Sequence, residues 1–313
     1  DVDRKIIAPD QPSLGEMTKK AIEVLAQNAE GFFLFVEGSK IDWISHAHDP
    51  TGVVSEILAF DEAVGISLDF ARARGDTIVI VVSDHGTGGM SIGSLRSDGI
   101  YSHLQYESMI AFLAKASLTG EGIEFLLKDD RTEGRIKQIV HTYLGISDLT
   151  PKEIKDIQTA PPGEMVRVTG SLVNSRSYIG WTTKGHTGED LFFYYYGIDR
   201  PFTLLENTDI AKIMANAMGF DLVTINNRLF VEAGEAFIGT GAEISFDRAD
   251  AKNQKLIIKK PGKRAEIPLS TNSMKIAGKR KAFHTLEGIA VFAPNTGKAY
   301  IPRQAVKLFD QAE

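Results

Sequence analysis

Gly31-Phe32-Phe33-Leu34-Phe35-Val36 runs straight into Glu37-Gly38-Ser39-Lys40-Ile41-Asp42 and then His46. A second apolar run, Thr77-Ile78-Val79-Ile80-Val81-Val82, leads into Ser83-Asp84-His85-Gly86. Both runs are short, β-branched or aromatic and without alternation, the texture of strands buried on both faces of a parallel sheet. Ligands of open α/β sheets collect at the carboxyl ends of the strands, and Glu37 and Asp84 fall there. Carboxylate plus imidazole is also the ligand set of a hydrolytic zinc site. Either cluster alone reads equally well as a polar loop at a strand end. Two at equivalent places favour a site.

A third element is Ile179-Gly180-Trp181-Thr182-Thr183-Lys184-Gly185-His186-Thr187-Gly188-Glu189-Asp190-Leu191, followed by an aromatic run over 192–196. Together the three motifs resemble the alkaline phosphatase family, from about residue 11 to about residue 221. The resemblance implies that Glu37 is a magnesium ligand. It implies that Asp42, His46 and His186 hold one zinc, and that Asp84 and His85 belong to a second. The implied fold is α/β, a mainly parallel sheet flanked by helices, with a small C-terminal β-rich module. The implied activity is hydrolysis of phosphate monoesters with two zinc ions and one magnesium, through a phosphoserine intermediate.

Two departures qualify the match. Gly86 and Thr87 follow Asp84-His85 where many relatives carry a second histidine, which alters a hydrogen bond behind the ligands rather than a ligand. Asp-His-Gly also occurs in related phosphodiesterases, sulfatases and phosphoglycerate mutases, so a phosphodiesterase or sulfatase of the same superfamily is the alternative enzyme. The larger departure is the nucleophilic serine, which has no match in the chain. The family's magnesium-binding Asp and Thr and its phosphate-clamping Arg have none either. The expectation is therefore a C-terminal portion of such an enzyme, with no catalytic residue of its own. Alone it would be a metal-binding and surface-binding fragment without turnover.

The chain has 313 residues, enough for two domains, and no run approaches the ~20 apolar residues needed to cross a bilayer. A net charge of −6 gives no general case for nucleic-acid binding. With no cysteine, disulfides and thiolate chemistry are excluded, leaving His, Asp and Glu as zinc ligands. The first residue is Asp1, with neither an initiator methionine nor a signal-like segment. The family pattern implies an N-terminal portion ahead of it and a location outside the cytoplasm: periplasmic, secreted or at the cell surface. The implied partners are small phosphomonoester substrates, with a homodimer left open.

Ser13 and Glu16 form a capping box for a helix carrying Met17, Ala21, Val24 and Leu25. Residues 53–74 read as an amphipathic helix with Val54, Ile57, Leu58, Val64 and Leu68 inward. Asp61 on that helix either orients a metal-bound histidine or bonds a backbone amide, the second being favoured. Residues 101–160 form a mainly helical excursion containing His103 and His141, and Thr150-Pro151 with Glu153 starts one of its helices. Residues 165–173 alternate like a strand returning to the core. His48 is left out of the ligand set as a solvated loop histidine, and Trp43 lies beside the site. The catalytic domain is expected over 1–222, ending in a helix that starts at 207–209. The β-rich accessory module is expected over 223–313, where strand-like runs alternate with Gly, Pro and Asn turns. Residues 252–281 hold ten Lys/Arg and one acid, Glu266. This reads as a solvated face, with an anionic surface partner as the alternative.

Overall fold

The computed structural model describes residues 1–201, 203–250, 252–277 and 283–311. Contacts divide the chain into Asp1–Phe202 and Thr203–Glu313. The break lies some twenty residues before the change of texture in the sequence. It assigns the helix Asn207–Ala217 to the second unit.

In the first unit the helix Leu14–Leu25 starts at the Ser13/Glu16 capping box and packs along the helix Pro50–Arg74. The longer helix begins with Asp49 accepting the amides of Thr51 and Gly52, has Pro50 at its first position, and stops at Gly75 with φ 73°. Its buried residues are mostly small: Gly52, Val53, Ala59, Ala63 and Ala71. Val54, Ile57 and Leu58, expected inside, are exposed. The helix is apolar on most sides, so periodicity could not select a face, and close approach to its neighbours selected the small residues. At Gly52 a Cβ would stand 2.2 Å from the Ile44 side chain. That contact fixes how near the short helix Lys40–His46 can lie.

Among the described residues no parallel sheet forms. Every strand ladder among the described residues is antiparallel, and parallel pairing is confined to the isolated bridge between Gly93 and Ile179. Of the run over 77–82, only Val79–Val81 forms a strand, paired with Tyr194–Tyr196. The run over 31–36 has no ladder partner among the described residues. Its exposure nonetheless alternates residue by residue, with Phe33 and Phe35 outward and Phe32 6.0 Å from the Phe70 ring. Apolar composition signals a segment that wants burial. A strand also needs a neighbour, which composition does not supply.

The helical excursion is present, with helices Gly120–Leu127, Glu133–Leu144 and Pro151–Thr159. Residues 165–173 belong to a fourth helix, Met165–Arg176, not to a strand. It buries Met165, Val166, Thr169, Gly170, Leu172 and Val173, a helical repeat. Apparent alternation over nine residues was too short to separate the two periods. The four helices close over Ile123, Ile136, Leu144 and Ile157.

The second unit has its own core, including Leu256, Ile258, Ile267 and Phe309. Strands Glu243–Asp247, Lys255–Lys260, Lys263–Pro268, Ser273–Ile276 and Phe283–Thr285 form an antiparallel meander. A second sheet joins Val291–Ala293, Lys298–Ile301 and Val231–Glu232. Several cations of the basic stretch have partners inside the unit. Lys255 and Arg264 both pair with Glu266, and Lys275 lies over the Phe283 ring. Lys279, Arg280 and Lys281 lie outside the described residues.

Candidate metal centre

Asp42 and His46 stand one turn apart on the helix Lys40–His46, so their side chains share a face. The short strand Gly86–Thr87 pairs with His186–Thr187, setting Thr87 opposite His186. Gly88 holds the two loops together. Its amide donates to Gly185 O at 3.0 Å, and its carbonyl accepts the amides of Thr182 and Thr183. Its φ of 78° and the 2.8 Å from a built Cβ to Trp181 leave room only for glycine.

The result is a group in which ligand atoms of Asp42, His46 and His186 all lie within 4.8 Å of one another. Asp42 Oδ1 is its hub, 3.4 Å from His46 Nε2 and 3.8 Å from His186 Nε2. The Thr87 hydroxyl donates to the same oxygen at 2.5 Å. His46 Nδ1 donates to the Lys184 carbonyl at 2.5 Å. A carbonyl can only accept, so Nδ1 carries the donated proton and Nε2 is the nitrogen turned toward Asp42.

One carboxylate and two imidazoles, that of His46 with its tautomer set by Lys184 O, match the three-ligand donor set of a hydrolytic zinc site. Ligands ~2.0–2.1 Å from a tetrahedral ion stand roughly 3.3 Å apart, close to the 3.4 and 3.8 Å from Asp42 Oδ1 to the two imidazoles. The residues therefore fit zinc.

The other expected ligands lie outside this group. His85 is nearest: its ring stacks on His186 at 3.5 Å between centroids, and its Nδ1 is 4.0 Å from Asp42 Oδ1. Asp84 is 86% exposed, with one oxygen 3.4 Å from His85 Nε2. Glu37 is exposed on the segment leading into the helix Lys40–His46, and Trp43 is exposed on that helix. Asp61, His103 and His141 are exposed and not in the group. Thr87 was marked in the sequence as altering a hydrogen bond behind the ligands, without Asp42 as its partner, and the Lys184 carbonyl was missed. For Thr87 a signal existed, since it stands close behind Asp84-His85. A backbone carbonyl leaves none.

Comparison with known proteins bears on what this arrangement serves. A profile of the alkaline phosphatase family matches residues 3–220. Alkaline phosphatase 3 of Bacillus subtilis is 36% identical over 70% of this chain and 46% of its own length. The alkaline phosphatase of Schizosaccharomyces pombe is 31% identical over 70% of the chain and 43% of its own. The crystal structure of Thermus thermophilus alkaline phosphatase aligns with a TM-score of 0.60 and 26% identity, over 70% of this chain and 50% of that one. The chain thus spans about half the length of these relatives.

Proposed function

The chain belongs to the alkaline phosphatase family, and from that membership we propose that it is the metal-binding part of a phosphomonoesterase. Asp42, His46 and His186 would hold one zinc, and Asp84 and His85 would contribute to a second. Glu37 would contribute to a magnesium site. The nucleophilic serine and the remaining ligands would come from sequence beyond these 313 residues, and turnover would proceed through a phosphoserine. The convergence of Asp42, His46 and His186 from segments 140 residues apart carries this reading.

Bound at these sites, the ions would supply Lewis acidity toward the phosphoryl group and the attacking and leaving oxygens. The chain's own residues prepare the ligands. Lys184 O holds the His46 proton on Nδ1, so Nε2 is ready without a prior proton shift. The Thr87 hydroxyl holds Asp42 Oδ1 in place and draws on its charge. The Gly88 crossing keeps the His186 turn against the Gly86–Thr87 strand, so the third ligand needs little ordering when an ion arrives.

Among the described residues no helix is long and apolar enough to cross a membrane. A periplasmic, secreted or cell-surface location is part of the proposal and rests on family resemblance. The test of function is the whole gene product. It should cleave phosphomonoesters far faster than phosphodiesters or sulfate esters, and lose that activity to a chelator. Preferential cleavage of a diester or a sulfate ester by the metal-replete protein would move it to the neighbouring enzyme classes that share Asp-His-Gly.

A further inference from the structure

His48 lies two residues beyond the ligand His46, in the turn between the helices Lys40–His46 and Pro50–Arg74. It is not in the metal group, yet it is far from a free loop side chain. Its Nε2 donates to the Thr183 carbonyl at 2.7 Å. Its ring stacks on Trp181 at 4.6 Å with the planes 9° apart. Its own carbonyl accepts from Asn174 Nδ2 at 2.8 Å, and Asn174 Oδ1 accepts from Trp181 Nε1 at 3.0 Å. These contacts close a circuit from His48 through Trp181 and Asn174 back to His48. The circuit ties the metal helix, the helix Met165–Arg176 and the turn before His186 to one another.

The backbone agrees with a fixed role for this residue. His48 has φ 58°, a left-handed conformation that costs a non-glycine residue free energy and must be held by its surroundings. At Gly170 a Cβ would come within 2.8 Å of the His48 carbonyl, so the helix Met165–Arg176 presses directly on this turn. Two consecutive carbonyls of the His186 turn are taken by two histidines of the metal-helix segment: Thr183 O by His48 and Lys184 O by His46. Only the second of these histidines is in the metal group.

We propose that His48, with Trp181 and Asn174, is a clasp that positions His186 over Asp42 and His46 before the metal binds. The inference rests on the zinc reading of that group. Its physical content is preorganisation. Without the clasp the turn over 182–186 must be ordered by the ion itself, and part of the binding free energy is lost to that ordering. Stacking alone would give a packing residue. The Nε2–H donated to Thr183 O is what couples the turn to the metal helix.

The test is zinc affinity of the 313-residue chain, measured by chelator competition, with the visible spectrum of the cobalt-loaded chain as a second readout. His48→Ala should weaken zinc binding by tenfold or more and alter the cobalt spectrum. His48→Phe keeps a ring against Trp181 but no donor, and should weaken binding similarly while melting near wild type. His48→Gln restores a donor and should recover part of the loss. In a His186→Ala background, His48→Ala should cost little more, because its effect runs through His186. Wild-type affinity in both His48→Ala and His48→Phe would overturn the clasp and leave the zinc reading standing. So would a His48→Ala loss of equal size with and without His186, since that marks a general structural effect. A wild-type chain that binds no zinc would overturn both.

Discussion

Asp49 is buried at the start of the helix Pro50–Arg74, near a second buried carboxylate, Asp3, which is bonded to Thr119. Burial pushes Asp49 up to about 7, against the opposing pull of the Gly52, Thr51 and Gly120 amides. The folded state therefore keeps a proton that the unfolded chain gives up near pH 4. Asp49 contributes stability fully present below about pH 4 and lost as pH rises through about 7, at roughly 1.4 kcal/mol for each pH unit between. Urea titrations of the chain at pH 5 and 8 should show the first unit less stable at pH 8. In Asp49→Asn that difference should shrink. A variant with the full wild-type difference would show that another group carries it. None of this was legible in the sequence, where the helix was expected to begin at 53 and Asp49 carried no reading of its own. Its burial follows from elements about 70 and 120 residues away.

At the scale of elements, legibility followed how local the determining forces are. The capping boxes at Ser13/Glu16 and Thr150/Glu153 and the Asp42–His46 spacing were readable because each signal lies within one turn of helix. The partners of the runs at 31–36 and 77–82, of which 79–81 forms a strand, and the helical state of 165–173 were not, because pairing and burial face depend on distant segments. Gly88 belongs with this second group: its necessity arises only where the Trp181 turn crosses it. Gly88→Ala must tolerate both φ 78° and a Cβ 3.0 Å from Ser45 O. The expected cost is about 1–3 kcal/mol, from strain plus overpacking. Thermal melting should fall by several degrees, and zinc affinity should fall with it. A Gly88→Ala chain melting as wild type would mean the crossing can slide apart without cost.

Taken whole, the first unit leaves several large apolar side chains uncovered. Phe33 and Phe35 are 55% and 76% exposed, and Val54, Ile57, Leu58 and Phe192 are exposed too. This agrees with the proposal that further sequence completes the site. The fold class was only partly readable because an apolar run does not name its neighbour: residues 79–81 pair antiparallel with 194–196, and 31–36 has no ladder partner among the described residues. The three motifs were legible as chemistry because residue type and spacing survive in the string. Their dependence on Thr87, Lys184 O and the His48 circuit was not, since those links exist only once segments about 45 to 140 residues apart have met. The most direct measurement is metal analysis of the 313-residue chain after equilibrium dialysis against zinc, alongside His186→Ala. One zinc per chain is expected, held markedly more weakly but still measurably in His186→Ala, with no phosphatase turnover in either. Two tightly held zinc ions with turnover, or zinc held as tightly without His186 as with it, would contradict the assignment of Asp42, His46 and His186 as one site.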